Sequence, residues 1–151
     1  MIHLLLAEDN PDIRKIITRL VLEENDMIIV AQAENGRQAL ELSKTKYYNV
    51  LILDFSLPDI NAFTIIKEIK QIDAGINILV INSLREEIFA QKSIMAGAEG
   101  YLNKFLLYKK LKEAIRHINS GKNYISPPLY KEKIQAEPEY ALSYKKNYLY
   151  N

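Results

Sequence analysis

Short apolar runs alternate with longer amphipathic segments along most of this 151-residue chain, and this alternation limits its folds more than any other feature. Continuous apolar runs of four to seven residues are typical of strands that are covered on both faces. The segments between them repeat apolar residues three and four positions apart, which predicts five helices. The predicted strands are Ile2–Ala7, Met27–Ala33, Val50–Asp54, Asn77–Asn82 and the shorter Gly100–Asn103.

Local start and stop signals agree with this reading. Asn10-Pro11 supplies a helix cap followed by proline at the first helical position, Asn35-Gly36 separates a strand from a helix, and Ser120-Gly121 ends the last helix. Strict alternation of strands and helices implies parallel strands joined by right-handed crossovers. We therefore predict an α/β fold with a doubly wound, five-stranded parallel sheet of flavodoxin-like order 2-1-3-4-5 and five helices. The apolar stripes of the helices are expected to face the core, including Ile88, Phe89, Ile94 and Met95 in the fourth helix.

Composition limits the cellular compartment and the classes of binding partner that we expect. The chain has no cysteine, which fits a reducing compartment, and its 20 basic and 19 acidic residues create no global field that would attract nucleic acid or an anionic membrane. No apolar run approaches the ~18 residues of a membrane span, and the acidic residues come too early for a signal peptide. These features predict a cytoplasmic protein without a membrane partner.

Polar side chains follow the predicted strands at the edge where ligands of doubly wound sheets bind. In the expected strand order the first and third strands are neighbours, so their carboxylates would lie close together and raise each other's pKa. The residues at this edge are Glu8 and Asp9 after the first strand, Asp54 at the end of the third, Asn82 and Ser83 at the fourth, and Lys104 after the fifth.

A hard divalent cation would relieve the repulsion among these carboxylates. Mg²⁺ is the natural candidate because it takes one or two carboxylates and keeps positions for water and phosphate oxygens, whereas His3 and His117 lie outside this edge and zinc lacks ligands. A carboxylate, a divalent cation and a lysine are the parts needed to transfer a phosphoryl group onto aspartate. In this interpretation Asp54 is the acceptor, Lys104 neutralises a phosphoryl oxygen, and Asn82 or Ser83 donates to another.

Four fragments in order carry a family resemblance: "LLAEDNP", "LILDFSLPDINAF", "LVINS" and "AGAEGYLNK". Together they resemble a response-regulator receiver domain of two-component signalling, over roughly residues 2–126. The resemblance implies that a histidine kinase or phosphotransfer protein phosphorylates Asp54, with Glu8, Asp9, Asp54 and the backbone carbonyl of Ser56 as the Mg²⁺ shell. It also implies that Tyr101 is the aromatic residue that swings inward on activation, and that the protein signals rather than acting as an enzyme on free substrates.

Several positions depart from the family pattern, among them Ala62, which stands where the family usually has glycine. Asn82 stands where the family has threonine or serine, with Ser83 one place later, so either residue is a candidate for the switch position. Phe105 stands where proline is usual after the lysine. Leu84, two positions beyond Asn82, would hinder an attacking water and prolong the phosphorylated state.

The C-terminal part of the chain changes character after Ser126. The ending "INSGKNYISP" resembles receivers that carry a helix-turn-helix DNA-binding domain, but the 25 residues from Pro127 to Asn151 are too few for one, and we expect no direct DNA binding. We expect a receiver domain over residues 1–126 and a tail over 127–151 that forms a short helix or a frayed terminus. Because half of the ten tyrosines lie in this tail, a docking segment for a protein partner or a second copy is the alternative.

Three functions remain open at this point. The first is a stand-alone receiver that signals through contacts with a downstream protein, and the second is a phosphorylation-independent interaction module that retains the acidic site as a relic. The third is a fragment of a DNA-binding regulator. A local alternative also applies to the acidic pair, because Glu8 and Asp9 are favourable before the helix that Pro11 opens.

Overall fold

The computed structural model describes residues 1–84 and 87–127. Strand bounds match the sequence prediction for all five predicted strands, and a sixth short strand is added. The strands are β1 Ile2–Ala7, β2 Met27–Ala33, β3 Val50–Asp54, β4 Asn77–Asn82, β5 Gly100–Asn103 and β6 Tyr124–Ile125.

Five α-helices follow β1 to β5 in turn, as the periodicity predicts. A 3₁₀ turn, Lys104–Leu106, lies between β5 and the last of them. The helices are α1 Pro11–Leu22, α2 Gly36–Thr45, α3 Ala62–Ile72, α4 Glu87–Ala96 and α5 Leu107–Asn119.

The sheet is parallel throughout, with the order β2-β1-β3-β4-β5-β6. The prediction of five strands is therefore wrong by one, although the order of the first five is confirmed. The added strand pairs Tyr124 with Gly100 and Ile125 with Tyr101. A segment of two residues is too short to show a hydrophobic periodicity. The position of β6 therefore depends on its pairing with β5 and not on a local sequence pattern.

Side-chain caps start the helices that border the candidate site. Asn10 accepts hydrogen bonds from the backbone N–H groups of Asp12 at 2.9 Å and Ile13 at 3.4 Å, with proline following at the first helical position. Asn35 accepts from Gln38 N at 2.9 Å and begins α2 in the same way. Such caps satisfy backbone donors that a helix leaves without partners, and each typically contributes about 1 kcal/mol.

The sheet separates two apolar layers. Along β1, Leu4 and Leu6 face α1 and α5, whereas Leu5 and Ala7 face α2, α3 and α4. β3 and β5 are buried along their whole length and β1 and β4 nearly so, as expected for parallel strands covered on both sides, whereas the edge strand β2 is partly exposed. This packing fixes the strand ends against one another, and the candidate site lies at those ends.

The fourth helix departs from the predicted pattern. Ala90 and Ser93 form the buried face of α4, whereas Ile88 is 44% exposed and Met95 is 86% exposed. The expectation that its apolar stripe faces the core is therefore wrong for Ile88 and Met95, whereas Phe89 does pack against the core. Small residues allow the helix to lie close to the sheet, and this leaves larger apolar residues on the outer surface.

The predicted tail structure, a short helix or a frayed terminus, lies outside the described residues, which end at 127. Within the described ranges, no helix is long and apolar enough to cross a lipid bilayer.

Candidate functional site

Three carboxyl groups and one ammonium group meet where β1, β3 and β5 end. Glu8, Asp9 and Asp54 each place a carboxylate oxygen within 4.8 Å of the others. Asp54 and Lys104 are each 1% exposed and Glu8 is fully buried, whereas Asp9 is exposed. The structure therefore brings together the four residues that the sequence places at this edge.

Lys104 carries the positive charge of the cluster. Its Nζ lies 2.8 Å from Oε2 of Glu8 and 3.0 Å from Oδ1 of Asp54. Asp54 Oδ1 also accepts a hydrogen bond from the backbone N–H of Ser56, at 3.1 Å. Buried charged groups are usually found only when they are paired, and here one ammonium group contacts two carboxyl groups.

Burial changes the titration of the acidic pair, and the single nearby ammonium group offsets this only in part. Burial raises the pKa of Glu8 to about 8, with a further contribution from the charge of Asp54 and a partial offset by Lys104. Burial and the nearby Asp54 also raise the pKa of Asp9. The cluster therefore favours either an added proton or an added cation.

The donor set fits a hard divalent metal ion. Oδ2 of Asp54 is buried and accepts no hydrogen bond in the part of the chain that the structure describes. The three acidic residues offer only oxygen ligands, which Mg²⁺ prefers over nitrogen and sulfur. His3 and His117 lie elsewhere, as predicted, with their rings against Tyr47 and Tyr124.

The loop between β1 and α1 is held by an arginine that the sequence analysis did not single out. Arg14 Nη1 donates to the carbonyl oxygens of Glu8 at 2.7 Å and Asp9 at 3.0 Å. In addition, the backbone N–H of Asn10 donates to Glu8 Oε1 at 3.0 Å. The acidic pair is thus fixed from both its backbone and its side chain, and an arginine in the first turns of the following helix was the available signal.

The loop between β3 and α3 is anchored on both sides of Ser56. Phe55 N donates to the carbonyl of Ile81 in β4 at 2.9 Å. Further along, the carboxylate of Asp59 accepts from the first backbone N–H groups of α2, at Gly36 (2.7 Å) and Arg37 (2.9 Å). These anchors fix the backbone of Ser56, whose carbonyl is the predicted fourth metal ligand.

The candidate switch residues lie at the end of β4, directly after it, and within β5. Asn82 is fully buried, its Oδ1 accepts from Leu84 N at 3.3 Å, and its Nδ2 has no hydrogen-bond partner among the described residues. Ser83 follows it and is 8% exposed. Tyr101 is 4% exposed and its hydroxyl donates to the carbonyl of Leu84 at 3.5 Å. Burial raises the pKa of Tyr101, and the nearby Asn82 side chain lowers it in part.

A family comparison agrees with this geometry. The family model described as the response regulator receiver domain matches residues 4–116. The chain belongs to the response regulator receiver family. Receiver domains are signalling modules of two-component systems, so the sequence-based assignment is confirmed at this level.

Curated relatives of this receiver include both short and longer proteins. The response regulator GacA of Pseudomonas aeruginosa is 28% identical over 129 residues, which cover 85% of this chain and 60% of GacA. The chemotaxis protein CheY of Bacillus subtilis is 31% identical over 115 residues, which cover 76% of this chain and 96% of CheY. The chain therefore spans about 60% of the length of GacA but matches nearly all of CheY.

Solved structures share the receiver fold. A two-component response regulator of the LuxR family from Aurantimonas sp. SI85-9A1 superposes with a TM-score of 0.80 at 28% identity, covering 86% of this chain and 93% of that one. The response regulator domain of Thermotoga maritima CheB gives a TM-score of 0.73 at 21% identity, covering 80% of this chain and 97% of that domain. The second likeness bears on the fold alone.

Proposed function

We propose that this receiver accepts a phosphoryl group on Asp54 from a histidine kinase or phosphotransfer protein, in a reaction that requires Mg²⁺. The observation that carries the proposal is the setting of Asp54 at the strand ends. One of its oxygens is bound by Lys104 and Ser56 N, while the other is buried and accepts no hydrogen bond from residues 1–84 or 87–127. An oxygen of this kind keeps its lone pairs for a phosphorus atom or a cation.

In the proposed reaction, a carboxylate oxygen of Asp54 forms a bond to phosphorus while the bond from phosphorus to the donor atom breaks. Lys104 offsets negative charge on the transferred group from its position 3.0 Å from Asp54. Nδ2 of Asn82, which has no partner in the described part of the chain, is a buried donor at the end of the neighbouring strand and supplies a hydrogen bond to another phosphoryl oxygen. The hydroxyl of Ser83 is the alternative donor.

Glu8, Asp9, Asp54 and the backbone carbonyl of Ser56 would hold the Mg²⁺, which would supply positive charge to balance the phosphoryl oxygens. The raised pKa of Glu8 and Asp9 supports this assignment, because burial disfavours their charged forms and a bound cation would offset that cost. The surrounding residues orient these ligands. Arg14 fixes the backbone of Glu8 and Asp9, and the anchored β3–α3 loop fixes Ser56.

Output would pass through protein contacts. Phosphorylation adds about two negative charges, and Asn82 and Tyr101 would couple this change to a surface formed by α4, β5 and α5. In this proposal residues 1–126 form a stand-alone cytoplasmic receiver, residues 127–151 form a tail, and the protein is not an enzyme acting on free substrates. The downstream partner is a protein or a second copy of the chain, and DNA is not bound directly.

A second candidate is an interaction module that does not depend on phosphorylation. The position of Asn82 favours it, because Oδ1 is already bound to Leu84 N and ties the residue into the following loop. Such a module would keep the acidic cluster without using it.

Incubation with acetyl phosphate separates the two candidates. Intact mass should show one added phosphoryl group on the wild type with Mg²⁺, and none with EDTA or in Asp54→Asn. Asp73→Asn is the matched control, because Asp73 accepts a backbone N–H from Gly75 in the turn after α3 and lies outside the cluster. An unmodified wild type, or a modified Asp54→Asn, would exclude the proposed function.

A further inference from the structure

Asn103 is the last residue of β5 and directly precedes Lys104. It is 4% exposed, although asparagine is mostly an exposed residue. Three of its polar groups bind three different segments of the chain. Its side-chain oxygen binds the turn that contains Lys104, its side-chain nitrogen binds the loop after β4, and its backbone N–H binds Ser126 after β6.

The first contact closes a turn around the lysine. Oδ1 of Asn103 accepts from the backbone N–H of Phe105 at 3.0 Å, and Asn103 caps the 3₁₀ turn Lys104–Leu106. A side-chain oxygen that binds a backbone N–H two residues ahead fixes the direction of the intervening residue. Proline has no N–H, so this contact depends on the presence of Phe105 at that position.

The second contact holds the loop that begins at the end of β4. Nδ2 of Asn103 donates to the carbonyl of Leu84 at 3.0 Å, while Leu84 N donates to Asn82 Oδ1 at 3.3 Å. Leu84 is thus bound through both its carbonyl and its amide. One side-chain amide therefore joins the turn of Lys104 to the loop of the candidate switch residue.

The third contact extends this connection toward the end of the domain. The backbone N–H of Asn103 donates to Oγ of Ser126 at 3.1 Å, and Ser126 N donates to the carbonyl of Tyr101 at 2.9 Å. Ser126 is 8% exposed. Ser126, directly after the short strand β6, therefore binds the backbone of Asn103 and limits its movement.

From these contacts we infer that Asn103 is a positioning residue that aims Lys104 at Asp54 and fixes the loop after β4 relative to it. The inference rests on the proposed phosphorylation of Asp54. A lysine side chain has four rotatable bonds, and its ammonium group must meet two carboxylates at about 3 Å. Fixing the backbone on both sides of Lys104 reduces the number of conformations that miss them.

A rate measurement tests the positioning of Lys104. Asn103→Ala should be phosphorylated by acetyl phosphate about 10-fold more slowly at saturating Mg²⁺, since one or two hydrogen bonds are lost, while the Kd for Mg²⁺ stays the same. Asn103→Ser should recover most of the rate, because its hydroxyl can accept from Phe105 N but cannot reach Leu84. A merely structural role would not separate these two variants by rate.

Asn49→Ala is the matched control. Asn49 also uses both atoms of its amide, accepting from His3 N at 2.8 Å and donating to the hydroxyl of Tyr47 at 3.2 Å, and it lies at the opposite end of the strands. This variant should lose stability without losing phosphorylation rate. Equal rates for Asn103→Ala and Asn49→Ala would overturn the positioning of Lys104.

Hydrogen–deuterium exchange tests the link between the loops independently of phosphorylation. Asn103→Ala should exchange faster than wild type both around Phe105 and around Leu84, whereas Asn103→Ser should do so only around Leu84. Unchanged exchange around Leu84 in both variants would overturn the link. If the wild type takes up no phosphoryl group, the proposed function and the aim of Lys104 fail together, and exchange alone decides whether Asn103 joins the two loops.

Discussion

Lys104 Nζ lies 2.8 Å from Oε2 of Glu8, and neither side chain is more than 1% exposed. The same ammonium group lies 3.0 Å from Asp54, so one buried ammonium group contacts two buried carboxyl groups. Removing one partner from a buried ion pair costs far more than removing an exposed one, because the remaining charge keeps its desolvation cost. Stability and metal binding are therefore coupled at this site.

Replacing Lys104 should make stability depend strongly on Mg²⁺. Lys104→Met should lower the free energy of unfolding in EDTA by about 3 kcal/mol, and Mg²⁺ should restore part of the loss by replacing the missing positive charge. Urea denaturation with and without Mg²⁺ measures both effects. Lys70→Met is the control, since Lys70 pairs with Glu99 at 2.5 Å outside the cluster. An equal response of the two variants to Mg²⁺ would contradict the account.

The raised pKa of Glu8 predicts a pH dependence of stability. Between about 4.5 and 8, the folded protein holds a proton that the unfolded chain has released, so stability falls as pH rises through this window. Glu8 contributes a slope of at most about 1.4 kcal/mol per pH unit. Unfolding measured at several pH values in EDTA should show this slope in the wild type, a smaller one with Mg²⁺, and a smaller one in Glu8→Gln. A Glu8→Gln profile parallel to that of the wild type would show that Glu8 does not titrate there.

Close packing between α2 and the loop after β3 predicts that a methyl group added at Gly36 lowers the stability of the protein. A Cβ on Gly36 would lie 2.9 Å from Cβ of Ile60 and 3.1 Å from Oδ1 of Asp59. Gly36→Ala should therefore lower the free energy of unfolding by about 1 to 3 kcal/mol and weaken Mg²⁺ binding through the displaced loop. Gly75→Ala serves as the control, because its nearest neighbour, at 3.1 Å, is the end of the Asp73 side chain. Wild-type stability and Mg²⁺ affinity in Gly36→Ala would refute this role of the contact.

An exposed apolar residue at the start of the β4–α4 loop predicts a long-lived phosphorylated state. Leu84 is 45% exposed and offers no group that could position an attacking water. Leu84→Glu should shorten the half-life of the phosphorylated protein by about 10-fold, since a carboxylate at this place can orient or activate water. Ile88→Glu makes the same change at a residue that is 44% exposed, in α4, and should leave the half-life unchanged. Equal half-lives for wild type and Leu84→Glu would contradict the prediction.

The sequence predicts the first five strands to the residue because four of them are predominantly apolar runs bounded by polar or turn residues, and the shorter Gly100–Asn103 continues their alternation with helices. β6 could not be predicted in this way, since two residues show no periodicity and their pairing depends on Gly100 and Tyr101. The exposure of Ile88 and Met95 in α4 could not be predicted from the sequence either. Periodicity locates an apolar face, but whether Ile88 or Ala90 meets the sheet depends on how closely the helix approaches it.

At the site, the residue types could be read from the sequence, and the strand order explains why these residues lie close together. The rule that ligands bind at the carboxyl ends of parallel strands brings Glu8, Asp9, Asp54 and Lys104 together. The supporting contacts could not be derived in the same way. Arg14 and Asn103 bind backbone carbonyl and amide groups, which every residue carries, so no spacing of side chains shows what they contact. For Arg14, its position in the first turns of α1 was a local signal, and Asn103 offered none.

The most direct test of the central claim is to locate the phosphoryl group. Treatment of the phosphorylated protein with sodium borohydride reduces an aspartyl phosphate to homoserine, and peptide mass spectrometry then identifies the converted residue. The account predicts homoserine at position 54, only after incubation with Mg²⁺ and acetyl phosphate. Conversion at another aspartate, or a phosphoryl group that leaves every aspartate unchanged, would contradict it.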